Sequence, residues 1–313
     1  MSSVPGQPIP GVALAIDSRI RTSSGWKTLD RVSIGEALAS DDGISSVVTD
    51  VVRREEEQVY RVLLSDRRAV ECAASHPWTV HSDGWDGERL ISTGEIARLL
   101  PQRMMWIDLP RGHFGHEDPL PLDPWMLGAV LADGAPTDPV PEEDAREDGD
   151  VAIAPASTRF NVLTAALARM GLAGVSRERE FIPDAFMNSA RRSRLAVLQG
   201  LLDTDGEISA EGEIGVSLVS ELLAADVVEL VRSVGGWCRV DREGREFRLH
   251  IGHANPRLLF RLSSKKNRFL SGCGDTARIA VVCVEATRVI ATRGLCVSHP
   301  SRHFMTNDYI LTH

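Results

Sequence analysis

The sequence changes from strand-like to helical periodicity and back again, and this interruption constrains the fold more than any other feature. From Leu14 to about Leu109, short runs such as SSVVTDVV and VYRVLLS are separated by Gly, Asp and Ser clusters, which is typical of many short strands. After Pro110 the spacing predicts helices at residues 125–131, 160–170, 192–202 and 221–231, and short strands return after Leu262. Because insertions succeed at surface loops whose ends lie close together, the pattern predicts a β domain split by an α+β insertion.

The length and composition favour two soluble domains. A single core stops growing at about 250 to 300 residues, and this chain has 313. No run approaches the roughly 18 apolar residues of a membrane span, and the N-terminus carries no signal-peptide pattern. We therefore expect a cytoplasmic monomer with no membrane partner. The five cysteines show neither CxxC pairs nor zinc-ligand spacing.

Two segments, LGAVLADG at residues 127–134 and LQGLLDTDG at residues 198–206, predict short helices that each end in Asp-Gly. Small residues at helical spacing allow two helix backbones to approach closely, and the glycine ends each helix. Packed together, the helices would place Asp133 and Asp205 side by side. Adjacent carboxylates repel unless a divalent cation lies between them, and Mg²⁺ would suit phosphodiester cleavage. Either motif alone is better explained as a helix C-cap with a solvated Asp; the pair favours a metal site.

These motifs resemble the two LAGLIDADG motifs of homing endonucleases, and FIPDAFMNSARRSRLAVLQGLLDTDGEIS resembles the second repeat of that family. The resemblance covers roughly residues 120–262. It implies an α+β domain with pseudo-twofold repeats that cleaves double-stranded DNA, with Mg²⁺ held by Asp133 and Asp205. The family usually has a lysine near these carboxylates, whereas SREREFIP offers Arg179 and Glu180 there.

The net charge of this middle segment is unfavourable for binding DNA phosphates. Residues 119–263 contain 23 Asp and Glu, 15 Arg and no Lys, a net charge of −8. The best candidate DNA surface is a hairpin in which Phe247, Leu249 and Ile251 point away from four arginines. The four are Arg239, Arg242, Arg245 and Arg248. A solvated strand face explains them equally well, so the activity of the endonuclease stays open.

Motifs in the β segments resemble those of inteins, which are self-excising protein-splicing elements. ALAIDSRIRTSSGWKTL resembles the N-terminal motif with Ala13 at the first position. AASHPWTV resembles the second motif, whose histidine, here His76, contacts the N-terminal scissile amide. An imidazole that titrates near neutral pH can protonate the departing nitrogen. A lone His before Pro is usually structural, so this assignment depends on the neighbouring motifs.

The segment CVSHPSRHFMTNDYILTH resembles the last two intein motifs, with His303 before Phe304 and His313 as the penultimate histidine. In that family the next residue is an Asn whose side-chain amide attacks its own backbone carbonyl, which breaks the C-terminal junction. The neighbouring histidine lowers the barrier. The given sequence stops one residue short of this Asn.

The junction residues depart from the common intein pattern. Ala13 has no nucleophile, so the usual acyl shift onto a Cys or Ser is impossible there, and Ala73 replaces the family's Thr. An intein subclass begins without a nucleophile and uses a cysteine in the penultimate motif, a Trp two residues after the His, and a Thr before the last His. Trp78 and Thr312 fit that subclass.

The subclass also predicts where its nucleophile belongs. By alignment Gly294 occupies that position, and Cys296, two residues on, is the nearest candidate thiol. Two explanations stay open, an engineered inactive precursor with a Cys changed to Ala13 and the final Asn removed, or a natural variant chemistry. The loss of both junction groups together favours engineering.

The resemblances imply an all-β Hint (hedgehog/intein) horseshoe split by a LAGLIDADG domain, with Ala13 and His313 close together. The expected divisions are residues 1–12 (N-extein remnant or cloning scar), 13–115 and 264–313 (splicing domain) and 119–263 (endonuclease). Splicing acts on flanking host exteins in cis without a cofactor, while the endonuclease needs Mg²⁺ and the intein-less host-gene site. The alternatives are an autoprocessing Hint domain that only cleaves, with a degenerate DNA-binding insertion, and a DNA-binding module that reuses the LAGLIDADG fold.

Overall fold

The computed structural model describes residues 11–133, 156–269 and 277–313. Within these ranges the chain has two large hydrophobic cores and a small third cluster around Met305 and Tyr309. One draws on residues 14–109 and 279–310, and the other lies between them in sequence, at residues 127–269. The second core thus extends past residue 263, the predicted end of the insertion. Residues 1–10 of the predicted N-terminal remnant lie outside the described ranges.

The N-terminal part consists mainly of strands, with one short α-helix and a 3-10 turn at Leu29–Arg31. The strands and the α-helix are β1 (Leu14–Ala15), β2 (Arg19–Thr22), β3 (Gly25–Thr28), β4 (Ala37–Leu38), β5 (Ser46–Leu64), β6 (Ala69–Ala73), β7 (Pro77–Ser82), β8 (Arg89–Ser92), α1 (Thr93–Leu99) and β9 (Met105–Asp108).

The middle part contains most of the helices. Its elements are α2 (Pro124–Asp133), α3 (Ala156–Arg169), α4 (Asp184–Met187), α5 (Arg191–Asp205), β10 (Glu207–Ile208), β11 (Ile214–Leu218), α6 (Glu221–Ser233), β12 (Gly236–Glu243), β13 (Glu246–His253) and α7 (Ser263–Lys266). The C-terminal part adds β14 (Arg278–Val297), β15 (Phe304–Thr306) and β16 (Ile310–Thr312).

The N-terminal and C-terminal strands form one twelve-stranded sheet system. Its longest pairing joins β5 to β14 antiparallel, from Val48 opposite Val297 to Leu64 opposite Val281, with register shifts along the way. Such shifts bend and twist a long ribbon. Strand β1 lies between β6 and β14, with Leu14 opposite Cys72 on one side and Arg293 on the other. The sheet therefore buries the residue before Leu14 at its centre.

The middle part packs helices against a four-stranded sheet of order β10-β11-β13-β12. Helices α2, α3, α5 and α6 confirm the four helices that the periodicity predicts. The segment that would complete a first pseudo-twofold repeat, residues 134–155, lies outside the described residues. No helix in the described ranges is long and apolar enough to cross a membrane.

Helices α2 and α5 touch through two glycines. A side-chain carbon on Gly128 would lie 1.9 Å from the Val197 carbonyl oxygen, and one on Gly200 would lie 1.9 Å from the Trp125 carbonyl oxygen. Only glycine permits such an approach of two helix backbones. The two contacts mark one crossing point of α2 and α5. Leu131 near the end of α2 and Asp205 at the end of α5 line the same pocket.

A buried arginine joins the two parts of the structure. The guanidinium of Arg194, on α5, donates to the carbonyl oxygens of Ser189 (2.9 Å) and Ser233 (2.6 Å). It also donates to those of Gly112 (2.7 Å) and Phe114 (3.0 Å), in the segment between β9 and α2. The guanidinium lies 3.9 Å from the centre of the Phe114 ring, and burial lowers the pKa of Arg194 to about 9.

We expect Arg194→Met to lower the free energy of unfolding by at least about 3 kcal/mol, because several buried carbonyl oxygens would lose their donor. Urea denaturation measures the change. Arg192→Met on the same helix is the control, since the Arg192 side chain is 73% exposed and should alter stability by less than about 0.5 kcal/mol. Equal effects of the two substitutions would contradict the role of Arg194.

Candidate functional site

The backbone amide of Ala13 forms a hydrogen bond with an imidazole. Ala13 is fully buried, and its N–H donates to Nδ1 of His76 at 3.1 Å, while its carbonyl oxygen accepts from the N–H of Ala73 at 2.9 Å. Both backbone polar groups of Ala13 are therefore held, and the N–H of the Val12–Ala13 peptide is bound to the imidazole. His76 reaches it because a tight turn, closed by its own N–H bonding to the Ala73 carbonyl, follows β6.

The same hydrogen bond defines the tautomer of His76. Because Nδ1 accepts the hydrogen bond from the Ala13 N–H, the neutral ring is assigned its hydrogen on Nε2. Nε2 lies 2.7 Å from Oγ1 of Thr312, to which it donates. Burial lowers the pKa of His76 to about 3, with the charge of Arg54 adding to the effect. The resting imidazole is thus neutral and links the Ala13 amide to strand β16.

Trp78 fixes the orientation of His76. The two rings meet edge to face with centres 5.2 Å apart. The indole N–H donates to Oγ1 of Thr93 at 2.9 Å, and that hydroxyl donates to the His76 carbonyl oxygen at 3.2 Å. Thr93 was not predicted from the sequence, because nothing in its local pattern indicates that α1 begins beside the second motif.

His303 and His313 form a second imidazole pair. Their Nε2 atoms are 3.1 Å apart and their ring centres 4.3 Å apart. Oγ1 of Thr79 lies 2.9 Å from Nε2 of His313 and 3.5 Å from that of His303. Burial and the charge of His303 lower the pKa of His313 to about 3, and burial also lowers the pKa of His303. Thr79 was missed by the sequence analysis, although it follows Trp78 directly.

The side chain that Gly294 lacks would point at the junction peptide. A carbon built there would lie 2.5 Å from the Val12 carbonyl oxygen and 3.3 Å from its carbonyl carbon. Cys296 is buried in the same strand, and burial raises the pKa of its thiol. Cys72, which pairs with Leu14, is also a protonated thiol, because burial raises its pKa to about 12. Neither thiol is ionised at neutral pH.

The predicted carboxylates lie at matching helix ends. Asp133 is the last residue of α2 and Asp205 the last of α5, and Leu131, two residues before Asp133, lines the same pocket as Asp205. A cation caps each end. Arg177 donates to the carbonyl oxygen of Ala132, and Nζ of Lys265 donates to those of Leu202 (2.6 Å) and Gly206 (2.8 Å).

Lys265 and Arg177 were missed by the sequence analysis. The segment SREREFIP pointed to Arg179 and Glu180, whereas Arg177 of that segment makes the contact at the helix end. Lys265 lies beyond residue 263, outside the predicted endonuclease boundary. The signal that could have found both is the partial negative charge of a helix C-terminus, which attracts cations.

The predicted placement of the four arginines on one face of the hairpin is wrong. Arg242 lies opposite Phe247, and its guanidinium is over the Phe247 ring, so it shares the face of that ring. Arg245 lies in the turn between β12 and β13. Side chains alternate between the two faces of a strand, so Arg239 and Arg242, three residues apart, lie on opposite faces.

Only Arg239 and Arg248 share the predicted face, and both have acidic neighbours. Arg248 pairs with Glu207 at 2.7 Å. Asp241 lies opposite Arg248 and 3.6 Å from Arg239. This neutralisation leaves little net positive charge on the hairpin.

Comparison with known proteins places related sequence in replication proteins. No family model matches the chain. The replicative DNA helicase DnaB of Mycobacterium intracellulare is 26% identical over 353 residues, which cover 97% of this chain and 58% of the helicase. A DNA polymerase of Thermococcus kodakarensis is 32% identical over 101 residues, or 32% of this chain and 6% of the polymerase. The chain thus spans less than two thirds of either relative.

Solved structures of inteins are similar to part of this chain. The Msm DnaB1 intein splicing domain bound with zinc is 30% identical, with a TM-score of 0.21, over 26% of this chain and 62% of its own. The MchDnaB-1 intein is 27% identical, with a TM-score of 0.23, over 26% and 60%. A mutant of the Ssp DnaB mini-intein variant M86 is 14% identical, with a TM-score of 0.26, over 32% and 65%. These scores are too low to assign the fold of the whole chain.

The buried histidines should make stability depend on pH. In the unfolded chain a histidine titrates near 6.5, whereas the folded pKa values of His76 and His313 are about 3. The unfolded state therefore binds more protons below pH 6.5. The stability from these groups is complete above that pH and falls progressively towards pH 3.

Between pH 7.5 and pH 5 we expect each of the two histidines to lower the free energy of unfolding by about 2 kcal/mol. Urea unfolding of the unmodified chain and of His313→Gln at both pH values measures the difference, which should shrink by about that amount in the variant. NMR of the imidazole protons is the direct check. Protonation of His76 between pH 7 and 5 would contradict the buried neutral ring.

Proposed function

We propose that the chain is an intein, an element that excises itself and ligates the flanking segments. The observation that carries the proposal is the hydrogen bond from the Ala13 amide to Nδ1 of His76. A peptide nitrogen that leaves as an amine must gain a proton, and Nδ1 is already in contact with that nitrogen. A proton on Nδ1 of His76 breaks the hydrogen bond from the amide N–H, and it can pass to the nitrogen once attack on the carbonyl has freed the lone pair of that nitrogen.

The second support is that both predicted junctions meet in one cluster. Thr312 contacts Nε2 of His76, and His313 follows Thr312 directly. His313 also contacts Thr79, which directly follows Trp78, the residue whose indole orients His76. A single reaction centre that serves both junctions needs this arrangement, because its groups must act on one acyl intermediate.

The third support comes from the relatives. A helicase and a polymerase are different enzymes, yet both resemble this chain, and the similarity covers only 6% of the polymerase. A transferable segment inserted in different replication proteins would leave such a pattern. We propose that the natural context of the chain is a host protein of this kind.

The N-terminal step needs a nucleophile that Ala13 does not supply. With a cysteine at position 13, its sulfur would attack the Val12 carbonyl carbon, a C–S bond would form and the C–N bond would break. The thiol proton would pass to the nitrogen by way of His76. A cysteine at position 294 could attack the same carbon, because the Gly294 side-chain direction points there, provided that the backbone shifts to relieve the 2.5 Å approach to the Val12 carbonyl oxygen.

Restoring the junction groups should restore ligation. The chain with Ala13→Cys is placed between two protein tags, with Asn added after His313 and Ser as the first residue of the second tag. Mass spectrometry should find the two tags joined. His76→Ala should leave precursor or C-terminal cleavage product, because the N-terminal nitrogen is not protonated as it departs. His303→Ala or His313→Ala should instead stall after the thioester has formed.

Dithiothreitol separates these outcomes, because a thiol releases the first tag only where a thioester exists. The exposed His113→Ala is the matched control and should ligate normally. Equal release from all histidine variants would show that His76 is structural. Cleavage without ligation would favour the autoprocessing alternative, and ligation from Gly294→Cys but not from Ala13→Cys would place the chain in the subclass that lacks a first nucleophile.

For the middle part we propose a LAGLIDADG-type endonuclease that acts on double-stranded DNA. The supporting observations are the glycine-mediated crossing of α2 and α5, whose last residues are Asp133 and Asp205, and the pocket that Leu131 of α2 shares with Asp205. Two hard carboxylate ligands, with water and DNA phosphate in the other positions, fit the coordination of Mg²⁺. The ion would activate water for phosphodiester cleavage. Lys265, which caps α5 and feels the charge of Asp205, could stabilise negative charge on the DNA.

Asp133→Asn and Asp205→Asn should each abolish Mg²⁺-dependent cleavage of a plasmid that carries an uninterrupted replicative-helicase gene, because each removes one carboxylate ligand. Gel electrophoresis measures cleavage. Glu211→Gln, in the turn between β10 and β11, is the control and should cut normally. If the unmodified chain binds no DNA even at low salt, where phosphate contacts are strongest, the domain is a relic and the proposal fails.

A further inference from the structure

Three neighbouring strands present one metal-binding side chain each on the same face of the sheet. Strand β7 pairs with β8, and their register continued by one residue sets His81 opposite Glu88. On the other side of β7, the β9 residue opposite His81 is two positions before Asp108. Cross-strand partners and residues two apart share a face. His81 therefore lies between two carboxylates.

The three ligand atoms are spaced as the ligands of one ion are. Nε2 of His81 is 3.0 Å from Oδ1 of Asp108 and 3.9 Å from Oε2 of Glu88, and all three atoms lie within 4.8 Å of one another. Ligands at 2.0–2.1 Å from a tetrahedral Zn²⁺ are separated by about 3.3–3.5 Å. Small side-chain rotations would bring the three atoms to that spacing.

The direction of the His81 ring supports the same conclusion. Nε2 is buried and makes no hydrogen bond to any described residue, although Oδ1 of Asp108 is 3.0 Å away. Because the distance suits a hydrogen bond, the direction must not, so the oxygen lies off the axis of the ring nitrogen. Two ligands of one ion have this relation, since their lone pairs point at a common centre and not at each other.

We propose that His81, Glu88 and Asp108 bind Zn²⁺, with water at a fourth position. One imidazole and two carboxylates are a donor set for a divalent transition metal. Arg278 also pairs with Oδ1 of Asp108 at 3.3 Å. Its side chain is 44% exposed, so it can turn away and leave that oxygen to the ion. The Glu88 side chain is 62% exposed, which gives the ion a path of entry.

The proposed zinc site is separate from the junction centre, the cluster around His76, His303 and His313, but lies close to it. Thr79 lies two residues before His81 on the same face, and its hydroxyl contacts the His303–His313 pair. That pair, with Nε2 atoms 3.1 Å apart, is the competing place for a metal ion. An experiment must therefore distinguish the two.

Isothermal titration of the whole chain with Zn²⁺ should find one tight site per molecule. Glu88→Gln should weaken binding more than about tenfold by removing a ligand. Because the Glu88 side chain is exposed, this substitution should not unfold the protein, so weaker binding would report the loss of the ligand. His81→Gln should do the same, with folding checked by circular dichroism. Asp241→Asn is the matched control, because Asp241 also lies beside a histidine, His250, at 3.5 Å; its substitution should leave binding unchanged.

Co²⁺ in place of Zn²⁺ reports on the ligands by its visible absorption, and the spectrum should show nitrogen and oxygen ligation without a thiolate charge-transfer band. A thiolate band would overturn the proposal. So would Zn²⁺ binding that survives Glu88→Gln and His81→Gln but is lost in His313→Gln, since the ion would then belong to the junction centre.

Discussion

The pairing of strand β14 is the interaction on which the β unit depends. It binds β1, β5 and β9, all of which come from the other side of the middle part in sequence. The entropy of closing a loop grows slowly with its length, by about 0.6 kcal/mol for each doubling, so the pairing tolerates a folded unit between its strands. The same strand carries Gly294 to the Val12 carbonyl, and the candidate reaction centre therefore exists only where this pairing is intact.

Burial determines the chemistry of that centre. His76 and His313 are neutral in the resting state because the surrounding sheet excludes water from their rings, and the hydrogen bond from the Ala13 amide is compatible only with a neutral acceptor. A proton delivered to His76 would be held at an energetic cost, which makes the imidazolium a stronger acid towards a departing nitrogen. The same rule keeps the Cys72 thiol neutral, because burial disfavours the thiolate and so raises the pKa.

The middle part is attached to the β unit by charged groups that have lost their water. Arg194 satisfies carbonyl oxygens on both sides of the boundary. Glu229 of α6 accepts from the indole of Trp26 and the hydroxyl of Tyr309. Tyr309 lies four residues before His313, so a shift of α6 would be felt near the junction centre. Contacts of this kind link the two cores despite their separate hydrophobic interiors.

The sequence by itself determined the helices, the Asp-Gly helix ends and the histidines, because periodicity and local motifs are properties of neighbouring residues. It could not assign Arg242 to a face, since a shift of one residue in strand register reverses the side chain. It also missed Thr79, Thr93 and Lys265, whose roles come from contacts across distant parts of the chain. Only the tertiary structure decided that the Ala13 amide meets His76 and that Gly294 points at the Val12 carbonyl, because strand pairing, and not local preference, sets those distances.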